Sequence, residues 1–143
     1  MDKLEVYGLK PNRGNTQAEQ IFQCKWRRPN EKFEEFTGHD TWIDYEFNEG
    51  HIQIVGQIIR GSNWVVVNIP ETYADRTYDI ITFDEGLAGK EGVVLATVLD
   101  STMMSDYNGT VTFARDEKFT VKFSAKNLRG YEFENGYFQF NSY

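Results

Sequence analysis

Histidine, cysteine and clustered carboxylates are the side chains that most often ligate metals or move protons. His39 stands beside Asp40 and near Asp44, and His51 is the only other histidine. A strand predicted between them separates the two imidazoles by on the order of 30 Å at about 3.3 Å per residue. They are therefore expected as single surface histidines and not as one metal site. Cys24 falls on the apolar side of an alternating stretch, so it reads as a small buried hydrophobe; only the neighbouring Lys25 favours a thiolate nucleophile. Asp84 to Gly92 (DEGLAGKEG) reads as a glycine-rich loop. A phosphate cradle needs its lysine followed by Ser or Thr and then a helix. Here Glu91 follows Lys90, a strand is predicted next, and Asp84 and Glu85 repel phosphate. Asp106-Tyr107-Asn108-Gly109 carries only the first part of a calcium loop and lacks its closing carboxylate. Glu34-Glu35 and Asp116-Glu117 are adjacent pairs, which point to opposite faces of a strand. No catalytic residue, metal ligand set or cofactor motif is assigned.

Charge narrows the partners. The 143 residues carry a net charge of −7, which argues against general nucleic-acid binding. Arg115, Lys118, Lys122, Lys126 and Arg129 make the C-terminal part locally basic, as expected of lysines that protect an edge strand from pairing. A single cysteine makes no internal disulfide, and no stretch approaches the ~20 apolar residues of a transmembrane helix. MDKLEVYGLK lacks the apolar core of a secretory signal. The expectation is a cytoplasmic protein, or an exported one whose leader has been removed.

Aromatics make up 15% of the chain, and Val, Ile and Thr are plentiful, which favours sheet in a single domain over residues 1–143. Lys3–Leu9 reads as a first strand and Glu19–Arg27 as a second, with Phe22, Cys24 and Trp26 on one side. Phe33 and Phe36 belong to a helical turn or a loop laid on the sheet. Asp40–Phe47 points Ile43, Tyr45 and Phe47 inward and leaves Trp42 to cap an end of the core. A turn centred on Gly61-Ser62 pairs Ile58 with Val65, Gly56 with Val67 and Ile54 with Ile69. Tyr78–Phe83 and the nearly all-apolar Val93–Leu99 are further strands, the latter central, and Asp100–Asn108 is a polar connection.

The run from Gly109 to Asn141 is the most strongly patterned. Phe119, Val121, Phe123 and Ala125 alternate with Thr120, Lys122, Ser124 and Lys126, the period of a strand with one dry face. Sharing that face with Val111 and Phe113 requires a three-residue loop or a bulge around Arg115–Lys118. Asn135-Gly136 lies between YEFE and YFQF and predicts a type I′ hairpin that sets Phe133 opposite Phe138 and Tyr131 opposite Phe140. The fold expected is all-β: an antiparallel β-sandwich or flattened β-barrel of about ten strands, with mostly sequential hairpin connections.

Gly109-Thr110-Val111-Thr112, the Phe119–Phe123 strand and Asn135-Gly136-Tyr137-Phe138 form an ordered set of blocks, preceded by Thr41-Trp42 and Gly50-His51-Ile52-Gln53-Ile54. Over about residues 41–140 this pattern resembles small bacterial β-sandwich domains of unknown function, often exported or lipoprotein-like. The resemblance implies the fold and carries no activity to any residue.

Function is read from surfaces. The predicted 52–59 and 64–69 strands are apolar on both sides, so the second side is either covered or an exposed patch that binds. The binding residues named on that side are Val55, Ile59, Trp64 and Val66. They suggest a non-catalytic binding or protein-interaction module that contacts a protein partner or a second copy of itself. The alternative is a lipocalin-like β-barrel carrier of a small apolar ligand, with Tyr45, Phe47, Phe119, Phe123, Phe133 and Phe138 lining its interior.

Overall fold

The structure, a computed structural model, describes residues 20–38, 40–44, 50–59 and 62–141. The predicted Lys3–Leu9 strand, His39, Tyr45 and Phe47 lie outside these residues. Eleven strands are described: β1 Ile21–Arg27, β2 Glu34–Thr37, β3 Asp40–Asp44, β4 His51–Ile59, β5 Ser62–Pro70, β6 Thr77–Ile81, β7 Val93–Leu99, β8 Thr102–Met104, β9 Asn108–Arg115, β10 Phe119–Lys126 and β11 Glu132–Phe140. One short helix, α1 (Phe83–Leu87), separates β6 from β7. The strands follow one path, β2-β1-β11-β10-β9-β6-β7-β5-β4-β3, with β8 added beside β7. The fold is all-β, and the sheet curls round one large core drawn from both halves of the path.

The expected order is right for β3–β4–β5 and β9–β10–β11 but not throughout. β1 pairs with β11, β5 with β7 and β6 with β9, and the β6–β7 pair is parallel. Within β10 the alternation is as read, with Phe119, Val121, Phe123 and Ala125 buried. Arg115 pairs with Phe119, leaving the expected three-residue loop between β9 and β10. β7 is central, flanked by β5 on one side and by β6 and β8 on the other. β8 falls inside the stretch read as a polar connection, and β2 replaces the helical turn or loop expected around Phe36.

The Asn135-Gly136 hairpin is corrected. β11 runs straight through this dipeptide and pairs with β10 and β1 at once. Phe123 pairs with Gly136 but Ala125 with Phe133, so β11 carries an extra residue, a β-bulge. The same step appears against β1, between Gln23 and Lys25. Asn135 adopts the positive φ of 54° that a hairpin turn would also have used. The parity argument explains why both readings fit. Phe133 and Phe138 are five residues apart and would face opposite sides of a regular strand; either a two-residue turn or one bulge brings both inward. Both are fully buried.

The β4–β5 register is also corrected. Gly56 pairs with Val65, Ile54 with Val67 and Ile52 with Ile69, two residues from the expected pairing. A shift of two keeps every side chain on its own face, so hydrophobic alternation does not detect it.

The core is aromatic and continuous. Ring centroids run from Trp26 to Phe133 at 6.0 Å, Phe133 to Phe123 at 6.3 Å, Phe123 to Phe138 at 5.7 Å and Phe138 to Phe22 at 4.4 Å. Such pairs contribute about 0.5–1.5 kcal/mol each beyond simple burial. Phe119, Phe123, Phe133 and Phe138 thus pack on aromatic neighbours. Trp42 does not cap this core. It is fully buried in a second cluster with Val55, Trp64, Val66 and Val98, on the other face of β3, β4, β5 and β7.

The bulge gives a direct test. Asn135→Gly should leave stability within a few tenths of a kcal/mol. Asn135→Val should cost roughly 1–3 kcal/mol, because a β-branched residue resists positive φ. Urea unfolding of the two variants distinguishes a bulge from a regular strand, which would favour valine.

Candidate functional site

The binding residues read from sequence do not form an exposed patch. Val55 is 0% exposed, Trp64 and Val66 are 2% exposed, and Ile59 alone reaches 42%. The physical reason is that an apolar second face gains by being covered, at about 25 cal/mol per Å² removed from water. Cys24 is buried and donates weakly to the carbonyls of Lys25 and Glu134. Burial pushes its thiol up to about 12, which leaves it inert as a nucleophile. His51 opens β4, half-buried. Among the described residues no three His, Cys, Asp or Glu side chains gather as a metal site.

The stretch read as a glycine-rich loop is the most site-like part of the chain. It opens with a capping box. The Glu85 N–H donates to Thr82 Oγ1 at 3.1 Å, and the Thr82 N–H donates to Glu85 Oε1 at 3.0 Å. Two N–H groups that a helix start leaves orphaned are thereby satisfied. The Thr82-x-x-Glu85 spacing was the available signal for α1, and the glycines beyond it obscured it. Lys90 closes the segment with a 2.7 Å bond from Nζ to Glu85 Oε2. That lysine bond, with the bond from the Thr82 N–H, draws the Glu85 carboxyl down to about 2.

α1 has no buried residue. Phe83 and Leu87, one helical turn apart on the same side, are 56% and 73% exposed. The helix lies against Val94 and Ile81, and a Cβ at Gly86 would make ordinary contact with their methyls at 3.6 and 3.7 Å. Between helix and sheet is a cleft of about 220 Å³, lined by Phe83, Leu87, Ile81, Val94, Asn68 and Tyr73 among others. Its far wall is the segment joining β5 to β6, which is well tied down. Tyr73 Oη donates to the Gly92 carbonyl at 3.1 Å and accepts from the Gly92 N–H at 3.0 Å. The Tyr73 ring stacks on Tyr78 at 4.4 Å. Arg115 bonds Asp75 and the carbonyls of Glu71 and Tyr73.

Asn68 and Gln53 face each other across β5 and β4. Asn68 Oδ1 and Gln53 Oε1 are both buried without a hydrogen-bond donor among the described residues. A buried acceptor left unmade costs about 1–3 kcal/mol, and Asn68 lines the cleft. The arrangement therefore offers apolar lips and a firm wall. Of its lining side chains, the Lys90 ammonium is held by Glu85 and the Tyr73 hydroxyl is committed to Gly92. Grooves of about 320–390 Å³ flank the β11 bulge on the opposite half of the sheet. They are open troughs lined by Phe36, Phe123 and Phe133 together with polar side chains such as Thr110, Lys122 and Glu134.

The lowered Glu85 carboxyl predicts a pH dependence. Its contribution to α1 should be complete above its ordinary value of 4.5 and fade as pH falls toward 2. An NMR titration should find the Glu85 midpoint well below 4.5, and Lys90→Met should raise it; a midpoint unmoved by that substitution would contradict the pairing.

Compared with protein-family models, curated proteins and solved structures, the chain matches none.

Proposed function

We propose that this chain is a non-catalytic binding module whose contact site is the cleft beside α1. One observation carries the reading. A helix with its own capping box turns its two large apolar side chains to water, at the mouth of a cleft against the sheet. A helix serving only the fold would bury that pair, because amphipathic helices bury their apolar stripe.

Magnitudes limit the kind of partner. Fully burying a Leu or Phe side chain is worth about 1.5–3 kcal/mol. Covering what remains exposed of Phe83 and Leu87 then supplies on the order of 2–4 kcal/mol, against the roughly 8 kcal/mol of a micromolar complex. A partner must reach past the cleft onto the neighbouring surface, which favours a protein segment over a small molecule. The cleft volume, below the ~300 Å³ where ligand pockets usually begin, points the same way. The carrier reading has no comparable support, because the inner-face aromatics pack on one another.

Selection of random displayed peptides on the folded protein tests the proposal. The selected binders should lose at least about tenfold in affinity on Leu87→Asp, while folding stability changes by no more than about 0.5 kcal/mol, as for an exposed position. Binders indifferent to Leu87→Asp and Phe83→Ala would place the contact elsewhere.

A further inference from the structure

We infer that the apolar outer face around Trp42 and Trp64 is a docking surface for the chain's own residues 1–19. The inference is independent of the α1 cleft. Trp42, Val55, Trp64, Val66 and Val98 form one cluster on the outer side of β3, β4, β5 and β7, and each is at most 2% exposed. An open sheet face does not bury two indoles by itself, because side chains standing on it meet water from above. Yet no other described apolar side chain joins the cluster. α1 rests further along this side, against Val94 and Ile81. The described elements packed closely on β3, β4 and β5 are their sheet neighbours and β1. The cover is therefore supplied by residues other than those described.

Length selects among them. Residues 39, 60–61 and 142–143 are too few to cover five large side chains. Residues 45–49 are held at both ends, by Asp44 in register with Gln53 and by His51 in register with Pro70. Val98 shares a row with Trp64, Gln57 and Asp40, three strands across from β3 and four residues along it from Asp44. That is about 14 Å across and about 13 Å along, at ~4.8 Å per strand and ~3.3 Å per residue. Five residues tied at both ends extend only about 10 Å.

Residues 1–19 meet the requirement. Leu4, Val6, Tyr7 and Leu9 bring apolar surface. The ten residues 10–19 that join them to Gln20 reach up to about 35 Å. The starting point also fits. The Gly38 N–H donates to the Phe22 carbonyl at 2.6 Å, two residues before Asp40 opens β3. The Phe22 ring lies against Gly56, the neighbour of Val55. Chain leaving the start of β1 thus begins at the rim of this face. Val55, Trp64 and Val66, read from the sequence as binding residues, then bind a segment of their own chain.

NMR on the full chain makes the test. In the unaltered protein the indole rings of Trp42 and Trp64 should show NOEs to the methyl groups of Leu4, Val6 or Leu9. With fluorotryptophan incorporated, the double substitution Leu4→Asp, Val6→Asp should shift the fluorine resonances of Trp42 and Trp64. Both should also become sensitive to replacement of water by heavy water. The resonance of Trp26, which belongs to the main core, should stay in place and show that the fold persists. If the substituted chain unfolds and all three resonances move, the NOEs of the unaltered protein decide. No NOE from either indole to residues 1–19, or resonances indifferent to the double substitution, would overturn the inference. NOEs seen only between labelled and unlabelled copies in a mixed sample would assign the face to a second copy and overturn it as well.

Discussion

The ring of Phe22 occupies space that side chains on Gly38 and Gly56 would fill. A Cβ on either glycine would fall 2.4 Å from the ring. On its other side the ring stacks on Phe138 at 4.4 Å. Phe22 belongs to β1 and Gly56 to β4, near opposite ends of the strand path, so this contact joins the two halves of the curled sheet. The Gly38 N–H also donates to the Phe22 carbonyl at 2.6 Å, at the point where the chain leaves β2 for β3. The edge strands of the path are therefore consecutive in the chain, and the approach of the two halves depends on glycine wherever the ring must fit.

A filled interior moves function to the outside. With the aromatics of β1, β10 and β11 packed on each other, specific contacts are left to side chains on the outer surfaces. One outer face, over β3, β4, β5 and β7, is apolar but already buried around Trp42 and Trp64. Beside it stands α1, which has the opposite balance: a firm start, no buried residue and an exposed Phe83-Leu87 pair.

Alternation made the all-β class and the dry faces of β1 and β10 legible, because burying one side of a strand imposes a period of two. The same parity left three matters open. It does not distinguish a turn from a bulge at Asn135-Gly136, since both bring Phe133 and Phe138 to one side. It is blind to the two-residue shift between β4 and β5. It carries nothing about which strands meet across the fold, and β1–β11, β5–β7 and β6–β9 all depend on packing between distant segments. The cleft was hidden for a different reason. Gly86, Gly89 and Gly92 look like loop, yet Thr82 and Glu85 nucleate a helix through two hydrogen bonds that outweigh the propensity of a single glycine at its end. The two-sided apolar character of β4 and β5 was visible, but whether the second side was covered required the folded chain.

The filled interior between the two halves of the curled sheet is the claim on which the placement of the site depends, and a double-mutant cycle at Phe22 and Gly56 tests it most directly. If the ring rests against Gly56, Gly56→Ala should cost about 1–3 kcal/mol by overpacking. The part due to Phe22 should vanish in a Phe22→Ala background, leaving what Phe138 at 2.7 Å still exacts, and giving a coupling energy of at least about 1 kcal/mol in urea unfolding. A Gly56→Ala cost that is the same in both backgrounds, or absent in both, would contradict this contact between the halves and reopen the interior as a place for a ligand.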